Sequence, residues 1–327
     1  MSAKNDICIV AQKGRLSYEA VLFATTLRAA APGFSGKLVV GEPQPGPLWP
    51  NDPRMAAEAR DLLKSLGAEI LPFPSYHFGA SYPQGNKVEM LAAMPPDRPF
   101  LFFDTDTVIT GPIDRLQLDF DKPAASMLRE NTWPVVPLYG PDLATIWQAV
   151  YDRAGVAMEP TLDLSQPVGH WERHLYFNAG WFHYRCPQVF ATKMIDLMVS
   201  LRDDPPEALA CQALTPWLDQ IALPAVIAGL GGGRPEGDAQ ALDGDLAFHW
   251  RALPLLYAKA PDNVIDFLEA TVAPNKIKKV LKDYEPFKRM IYQGRGVRVR
   301  ALFDQSHLPR AEKAIRNRIK RERLWMR

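Results

Sequence analysis

Three aspartate pairs with one intervening residue stand in this sequence: Asp104-Thr105-Asp106, Asp119-Phe120-Asp121 and Asp243-Gly244-Asp245. On an extended segment two carboxylates so spaced project to the same side, where both can reach one hard divalent cation. The spacing alone is weak, so context has to choose. Only the first pair leaves a continuous apolar run, PFLFF over 99–103, and is followed by Thr107-Val108-Ile109 and a turn, Gly111-Pro112-Ile113-Asp114. A cation held there would bridge the phosphates of a nucleotide sugar and neutralise charge developing on the leaving diphosphate. Asp104 and Asp106 are the expected metal ligands, Asp106 the direct one and Asp104 also a contact of the nucleotide. The alternative is a pair of turn residues after a strand, which is the expected role of the other two pairs.

The elements that must carry this pair can be read upstream of it. Short apolar runs at 7–11, 37–41 and 68–73 predict buried strands, and helical spacing fills 17–31 and 56–66 between them. Pro32 and Gly33 stop the first helix; Asp52 and Pro53 are placed to open the second and Gly67 to close it. Strand and helix alternating in this way imply right-handed crossovers and a mostly parallel central sheet with helices on both faces. A short helix over 86–94 leads into the strand 99–103. Asp104 therefore falls at the carboxyl end of a central strand, where open α/β sheets bind ligands. From 133 to 171 the chain turns rich in proline and aromatic residues around one helix, 141–154, which suits an irregular region covering a site and touching an acceptor. A strand over 176–184 and helices over 187–201 and 217–230 follow, and beyond about 250 helices are expected over 262–272, 275–284 and 310–325. No internal repeat is visible.

Taken in order, PFLFFDTDTVITGPID, YFNAGWFHY and WLDQ resemble the motif series of GT-A glycosyltransferases, most of all the glycogenin and bacterial lipopolysaccharide galactosyltransferase group. The resemblance spans roughly residues 5–250. It implies a metal-dependent hexosyltransferase that takes a nucleotide sugar, a UDP-sugar foremost, uses Mn2+ or Mg2+, and retains anomeric configuration. It also implies that Asn178 and Gly180, in Phe177-Asn178-Ala179-Gly180, line the sugar pocket, the amide bonding hydroxyls and the glycine admitting the ligand closely. Asp219 and Gln220, as catalytic residues, match the position near the anomeric carbon, where a carboxylate or amide oxygen would stabilise an oxocarbenium-like centre, and His249 matches a third metal ligand. Lys87 matches a basic residue near the diphosphate. The sequence departs from the family after these points: Ile221 to Pro224 follow Asp219-Gln220, and where a Gly and a Lys-Pro should follow the histidine, Arg251 to Leu256 intervene, with Lys259 the nearest lysine. The structural alternatives are an Asn satisfying backbone groups, a helix-surface Asp and a core His; the last is the expected role of His170, His174 and His183.

Two early features could hold the nucleotide: Gln12, in the loop Ala11-Gln12-Lys13-Gly14, and Tyr18, whose ring could stack on a base. The glycines of Gly229-Leu230-Gly231-Gly232-Gly233 follow a helix and lack the ending of a phosphate loop, so a flexible loop is expected. Composition is that of a folded globular chain: 327 residues, 36.6 kDa, 47% hydrophobic and 23% charged. Net charge is +1, but residues 310–327 hold eight Lys/Arg against two Glu, so this tail carries +6 and the rest −5. That asymmetry argues against a nucleic-acid-binding core. On the basic helix, Leu308, Ile315, Ile319 and Met326 form a thin apolar stripe that either packs on the body or lies on an anionic membrane or lipid-linked acceptor. Cys8, Cys186 and Cys211 read as neither a disulfide framework nor a metal site. No stretch is apolar enough to span a membrane, and the N-terminal MSAKNDICIVAQKG has only a short apolar stretch before polar residues. The expected compartment is the cytoplasm, with peripheral contact at the inner membrane face as the second reading of the basic helix.

The expected organisation is a GT-A domain over 1–250 and a helical C-terminal extension with a basic tail over 251–327, packed on the same domain. The expected partners are a nucleotide-sugar donor and a glycan, lipid-linked or protein acceptor. Two rivals stand beside this: a sugar-nucleotide pyrophosphorylase, of whose Gly-rich, Arg-containing loop only Gly14 and Arg15 are present, and a non-catalytic nucleotide- or glycan-binding protein on the same fold.

Overall fold

The computed structural model describes residues 5–128 and 133–326. The first four residues of the N-terminal segment, and Arg327 of the basic tail, lie outside the described residues. In chain order β1 (Asp6–Val10), α1 (Arg15–Ala30), β2 (Leu38–Pro43), α2 (Ala57–Ser65), β3 (Ala68–Phe73), α3 (Asn86–Ala92) and β4 (Phe100–Phe103) lead to the aspartate pair. Then come β5 (Thr107–Ile109), β6 (Ala124–Ala125), α4 (Leu143–Ala154), β7 (Trp181–Tyr184), α5 (Pro187–Asp203), α6 (Leu218–Gly229) and β8 (Ala247–His249). The remaining helices are α7 (Leu253–Lys259), α8 (Asp262–Val272), α9 (Asn275–Leu281), α10 (Glu285–Phe287), α11 (Arg295–Arg300) and α12 (Glu312–Arg321).

The central sheet runs β3-β2-β1-β4-β7-β6. Its first four strands are mutually parallel, while β7 is antiparallel to β4 and β6 to β7. Both faces are covered over β1, β2, β4 and β7, whose residues are all buried, while β3 at the edge stays partly exposed. Successive side chains point to opposite faces: Ile7, Ile9, Leu38, Val40, Leu101 and Phe103 join one core with α1, α2 and the C-terminal helices, while Cys8, Val10, Val39, Phe100 and Phe102 join another with α3 to α6. Phe103 is fully buried and packs on Phe23 of α1. Truncating it to alanine would cost about 3–5 kcal/mol. The architecture expected from the sequence is thus the one observed.

Three local expectations change. Asp52 does not cap α2; its carboxylate accepts from the Arg54 backbone N–H at 3.0 Å and pairs with the Arg54 guanidinium at 2.7 Å, and the helix opens only at Ala57. Gly67 does close it, with φ +76°, a left-handed conformation cheap only for glycine. The strand expected over 176–184 pairs only from Trp181, because Ala179 at φ +56° breaks the extended run. The glycines after α6 are not a loose loop: Gly232 lies so close to the Pro123 backbone that a Cβ would meet its carbonyl at 1.9 Å, and the Gly233 N–H donates to that oxygen. Finally, α12 buries Ile315 and Ile319 in the core it shares with α1 and α7. Of the two expected readings of the stripe, packing on the body accounts for these two isoleucines. Among the described residues no helix is long and apolar enough to cross a membrane.

Candidate active site

The segment Asp104-Thr105-Asp106 bridges two sheets. β4 ends at Phe103 in the central sheet, and β5 begins at Thr107 in a small antiparallel pair with β8, where Thr107 faces His249. The backbone is held at both ends: the Asp104 N–H donates to the Gly180 carbonyl at 2.9 Å, and the Asp106 carbonyl accepts from the Trp250 N–H at 2.9 Å. Strand pairing therefore draws the segments around Asn178 and His249 to the aspartates, although they lie far away in sequence. Asp104, Asp106 and His249 offer ligand atoms that all lie within 4.8 Å of one another. Two carboxylates and an imidazole are a donor set that fits a divalent cation.

His249 Nε2 lies 3.1 Å from Asp106 Oδ1, and Arg15 from α1 lies 3.5 Å from the other oxygen. Burial pushes the Asp106 carboxyl up, but His249 and Arg15 outweigh it and hold it below the ordinary aspartate range. Burial likewise pushes Asp104 up; Lys87 opposes and Asp106 adds to the rise, leaving it above its usual value. Lys87 is buried with Nζ 3.1 Å from Asp104 and 2.9 Å from Asp219. Its burial pulls the ammonium down, yet the two carboxylates raise it above the ordinary lysine value. The second oxygen of Asp219 accepts from the Tyr82 hydroxyl at 2.7 Å.

Gly180 makes room for His249. A Cβ there would meet His249 Nδ1 at 2.4 Å and Asn178 Oδ1 at 2.8 Å, so only glycine lets the imidazole approach. The Asn178 side-chain oxygen accepts from the Gly180 N–H at 2.7 Å. Among the described residues three non-glycines hold left-handed backbone: Ala179, Arg251 and Arg323. Ala179 follows pocket-lining Asn178, Arg251 itself lines the pocket, and Arg323 stands two residues before pocket-lining Trp325. Such strain is of order 1–3 kcal/mol per residue and concentrates at functional sites.

These side chains line one cleft of about 550 Å³ that brings together Gln12, Lys87, Asp104, Asp106, Asn178, Asp219, Gln220 and His249. Gln12 is braced by Asn86, whose amide donates to it at 2.7 Å, and Gln220 accepts from the Tyr176 hydroxyl. Tyr18 is not brought in. Its ring stacks on Tyr284 at 5.3 Å and 8°, joining α1 to the C-terminal helices, so the expected base-stacking role fails. Lys259 lies outside the cleft lining with its ammonium on Glu312. The other two aspartate pairs do structural work: Asp121 pairs with Arg185, while Asp243 accepts from Ser126, Trp181 and the Met127 backbone. His183 is a buried core histidine between Trp181 and Phe120. Among the lining residues to which the sequence reading gave no site role are Arg15, Arg251, Arg316 and Trp325. Arg15 adjoins a loop already singled out; the last two come from the far end of the chain, where only the tertiary fold reveals them.

A second cavity of about 300 Å³ lies beyond Tyr176, which lines both. Asp163, Gln166, Trp171, Glu172 and Arg234 surround it, and one buried nitrogen of Arg234 has no hydrogen-bond partner.

Among solved structures, the chain is similar to galactosyltransferase LgtC in complex with donor and acceptor sugar analogues, at 16% identity over 68% of this chain and 70% of that chain, with a TM-score of 0.40. It is similar also to the glycosyltransferase GlyE of Streptococcus pneumoniae TIGR4, at 13% identity over 71% of this chain and 46% of that chain, TM-score 0.38. The bifunctional glycosyltransferase WbbM matches at 12% identity over 87% of this chain and 52% of that chain, TM-score 0.35. No curated protein matches. The model of the Rhodobacterales glycosyltransferase domain matches residues 7–231, well over half of the chain and including the aspartate pair, Asn178, Asp219 and Gln220, and the chain therefore belongs to that glycosyltransferase family.

Proposed function

We propose that this glycosyltransferase moves a sugar from a nucleotide-diphosphate donor, a UDP-sugar foremost, to a glycan, lipid-linked or protein acceptor, with a divalent cation, Mn2+ or Mg2+, held by Asp104, Asp106 and His249. The observation that carries the reading is the Asp-Asp-His group opening into a cleft of about 550 Å³ with the family's sugar-pocket segments on its walls. When bound, the cation supplies Lewis-acid neutralisation of the leaving diphosphate. The chain's own residues do the rest. Gln12 and the loop after β1 take the nucleotide, and the amides of Asn178 and Gln220 meet sugar hydroxyls. Asp219 is a positioning residue: with its oxygens on Lys87 and Tyr82, it fixes the ammonium that in turn fixes Asp104. Retention of configuration follows the motif resemblance.

The acceptor enters from the second cavity, where Trp171 offers an apolar face and Gln166, Glu172 and Arg234 offer polar groups, as sugar binding requires. Tyr176 stands between the two cavities with its hydroxyl on Gln220, so an acceptor there borders the donor sugar. Residues 1–250 form the transferase unit and 251–327 an extension of it, working in the cytoplasm. Family membership sets aside the pyrophosphorylase reading.

The test is nucleoside diphosphate release from a panel of UDP-, GDP- and CMP-sugars, the last read as release of CMP, with and without Mn2+, in wild type and Asp106→Ala. Metal-dependent release lost in the variant supports the reading. Release that ignores the metal and the substitution contradicts it, and donor binding without turnover favours the non-catalytic rival.

A further inference from the structure

We infer that Trp325, in the segment after α12 and beyond the residues matched by the family, is the platform on which the donor's nucleobase stacks. This rests on the donor reading above. A base needs a flat apolar face, and Tyr18, from which one was expected, has its ring on Tyr284. Among the described residues the aromatic side chains that line the cleft are Phe102, Tyr176, Trp217, His249 and Trp325. Four of them are committed elsewhere. Phe102 is buried and stacks on Phe182, the Tyr176 hydroxyl bonds Gln220, Trp217 stands directly before the helix that carries Asp219 and Gln220, and His249 belongs to the cation ligands. Trp325 remains, half-buried in the cleft wall.

Its place fits the nucleoside end of the donor. A nucleotide sugar is linear, and a cation on its diphosphate puts base and sugar on opposite sides of the Asp-Asp-His group. Tyr176 and Trp217, beside Gln220 and Asp219, mark the sugar side, and both pack on the core that β4 shares with α3 to α6. Trp325 packs on the other core, with α1 and the C-terminal helices. The loop carrying Gln12 opens α1, so it stands at that end too. An aromatic column joins α1 to the residue after His249: Tyr18 on Tyr284 at 5.3 Å, Tyr284 on Phe287 at 5.3 Å and Phe287 on Trp250 at 6.3 Å. Helix α12 packs on α7, which opens just beyond Trp250. The nucleotide loop and the segment that carries Trp325 are thus mounted on one packed body.

The chain after α12 is turned so as to deliver the ring. The Leu324 N–H donates to the Ile319 carbonyl at 3.0 Å and the Arg323 N–H to the Lys320 carbonyl at 2.9 Å, a helix ending that needs left-handed backbone at residue 323. Glycine would adopt it freely; here Arg323 holds φ +54°. Arg295 donates to the Arg323 carbonyl and ties the turn down. Leu324 then buries in the same core as Ile319. Trp325 lies back along α12, where Arg316 and Lys320, one turn apart, sit over its ring at 5.2 and 5.6 Å. Lys320 has no share in the cleft lining and Trp325 does, so the ring is held from the helix and meets the cleft.

The experiment is calorimetric titration of the full chain with UDP, GDP and inorganic pyrophosphate, each with Mn2+. Trp325→Ala should weaken nucleoside diphosphate binding about tenfold or more, the loss expected for one base stacked on a ring, and leave pyrophosphate binding within about twofold. Trp325→Phe should recover most of the affinity. Trp325→Leu, apolar but without a flat face, should bind as weakly as Trp325→Ala. Thermal melting verifies folding; should Trp325→Ala unfold, the comparison of Trp325→Phe with Trp325→Leu decides. A merely structural Trp325 would weaken pyrophosphate and nucleoside diphosphate alike. That result, or nucleoside diphosphate binding that Trp325→Ala leaves within about twofold, overturns the inference and spares the donor reading. Absence of nucleoside diphosphate binding in the wild type brings both down.

Discussion

At the end of β4 the polar groups are tied to one another: Asp106 to His249 and Arg15, Asp104 to Lys87, Lys87 to Asp219, Asp219 to Tyr82. Across Tyr176 the segment 133–171 is built otherwise, with Leu138 97%, Tyr139 96% and Val168 88% exposed and few regular elements besides α4. The first region has met its ordering cost during folding, so charges that must face developing charge need not reorganise. The second leaves apolar side chains in water. The contrast is that of a cleft end fixed by buried charge pairs and an irregular segment that leaves apolar side chains exposed.

The contrast can be broken most sharply at the donor side. Asp106→Ala should lower turnover by about 10³-fold, since losing a metal ligand forfeits several kcal/mol of charge stabilisation; activity assays at saturating Mn2+ check this. Lys87→Met should cost about 3–5 kcal/mol of stability, because it strands Asp219 as an unpaired buried charge, and denaturant unfolding measures it. A cost below about 1 kcal/mol would mean the buried network is not the brace described. Gly180→Ala should weaken metal binding about 10- to 100-fold by displacing His249, a supporting-residue effect, read by Mn2+ titration. Trp171→Ala should raise the acceptor KM more than the donor KM, and the reverse would merge the two regions.

The smallest effect concerns pH. Burial pushes His183 down to about 4. The unfolded chain, with a histidine value near 6.5, binds the proton first, so the stabilisation is complete above about 6.5 and drains away as pH falls toward about 4. At pH 5 the loss should be about 2 kcal/mol. His183→Gln should flatten this part of the melting profile, and an unchanged slope would reassign the acid sensitivity elsewhere.

What the sequence disclosed follows from the range of the interactions. Asp104-Thr105-Asp106 was separable from the other two pairs because its apolar strand and following turn are local, and the mostly parallel sheet followed from alternation of strand and helix. Asp52 misled because an aspartate before a helix can just as well bond its neighbour Arg54. Tyr18 misled because its partner, Tyr284, comes from the far end of the chain. The stripe of Ile315 and Ile319 has one periodicity whether it faces lipid or core; only the packed fold separates the two. At Gly180 the side chain that approaches closely is His249, which comes from a distant segment.

The central claim, that Asp104, Asp106 and His249 form one divalent-cation site serving the nucleotide, is tested most directly by titrating Mn2+ into the protein by electron paramagnetic resonance, with and without nucleoside diphosphate. The account predicts one site, competed by Mg2+, tightened by the nucleotide, and lost in Asp106→Ala and weakened in His249→Ala. Equal Mn2+ binding in wild type and Asp106→Ala, indifferent to nucleotide, would contradict it.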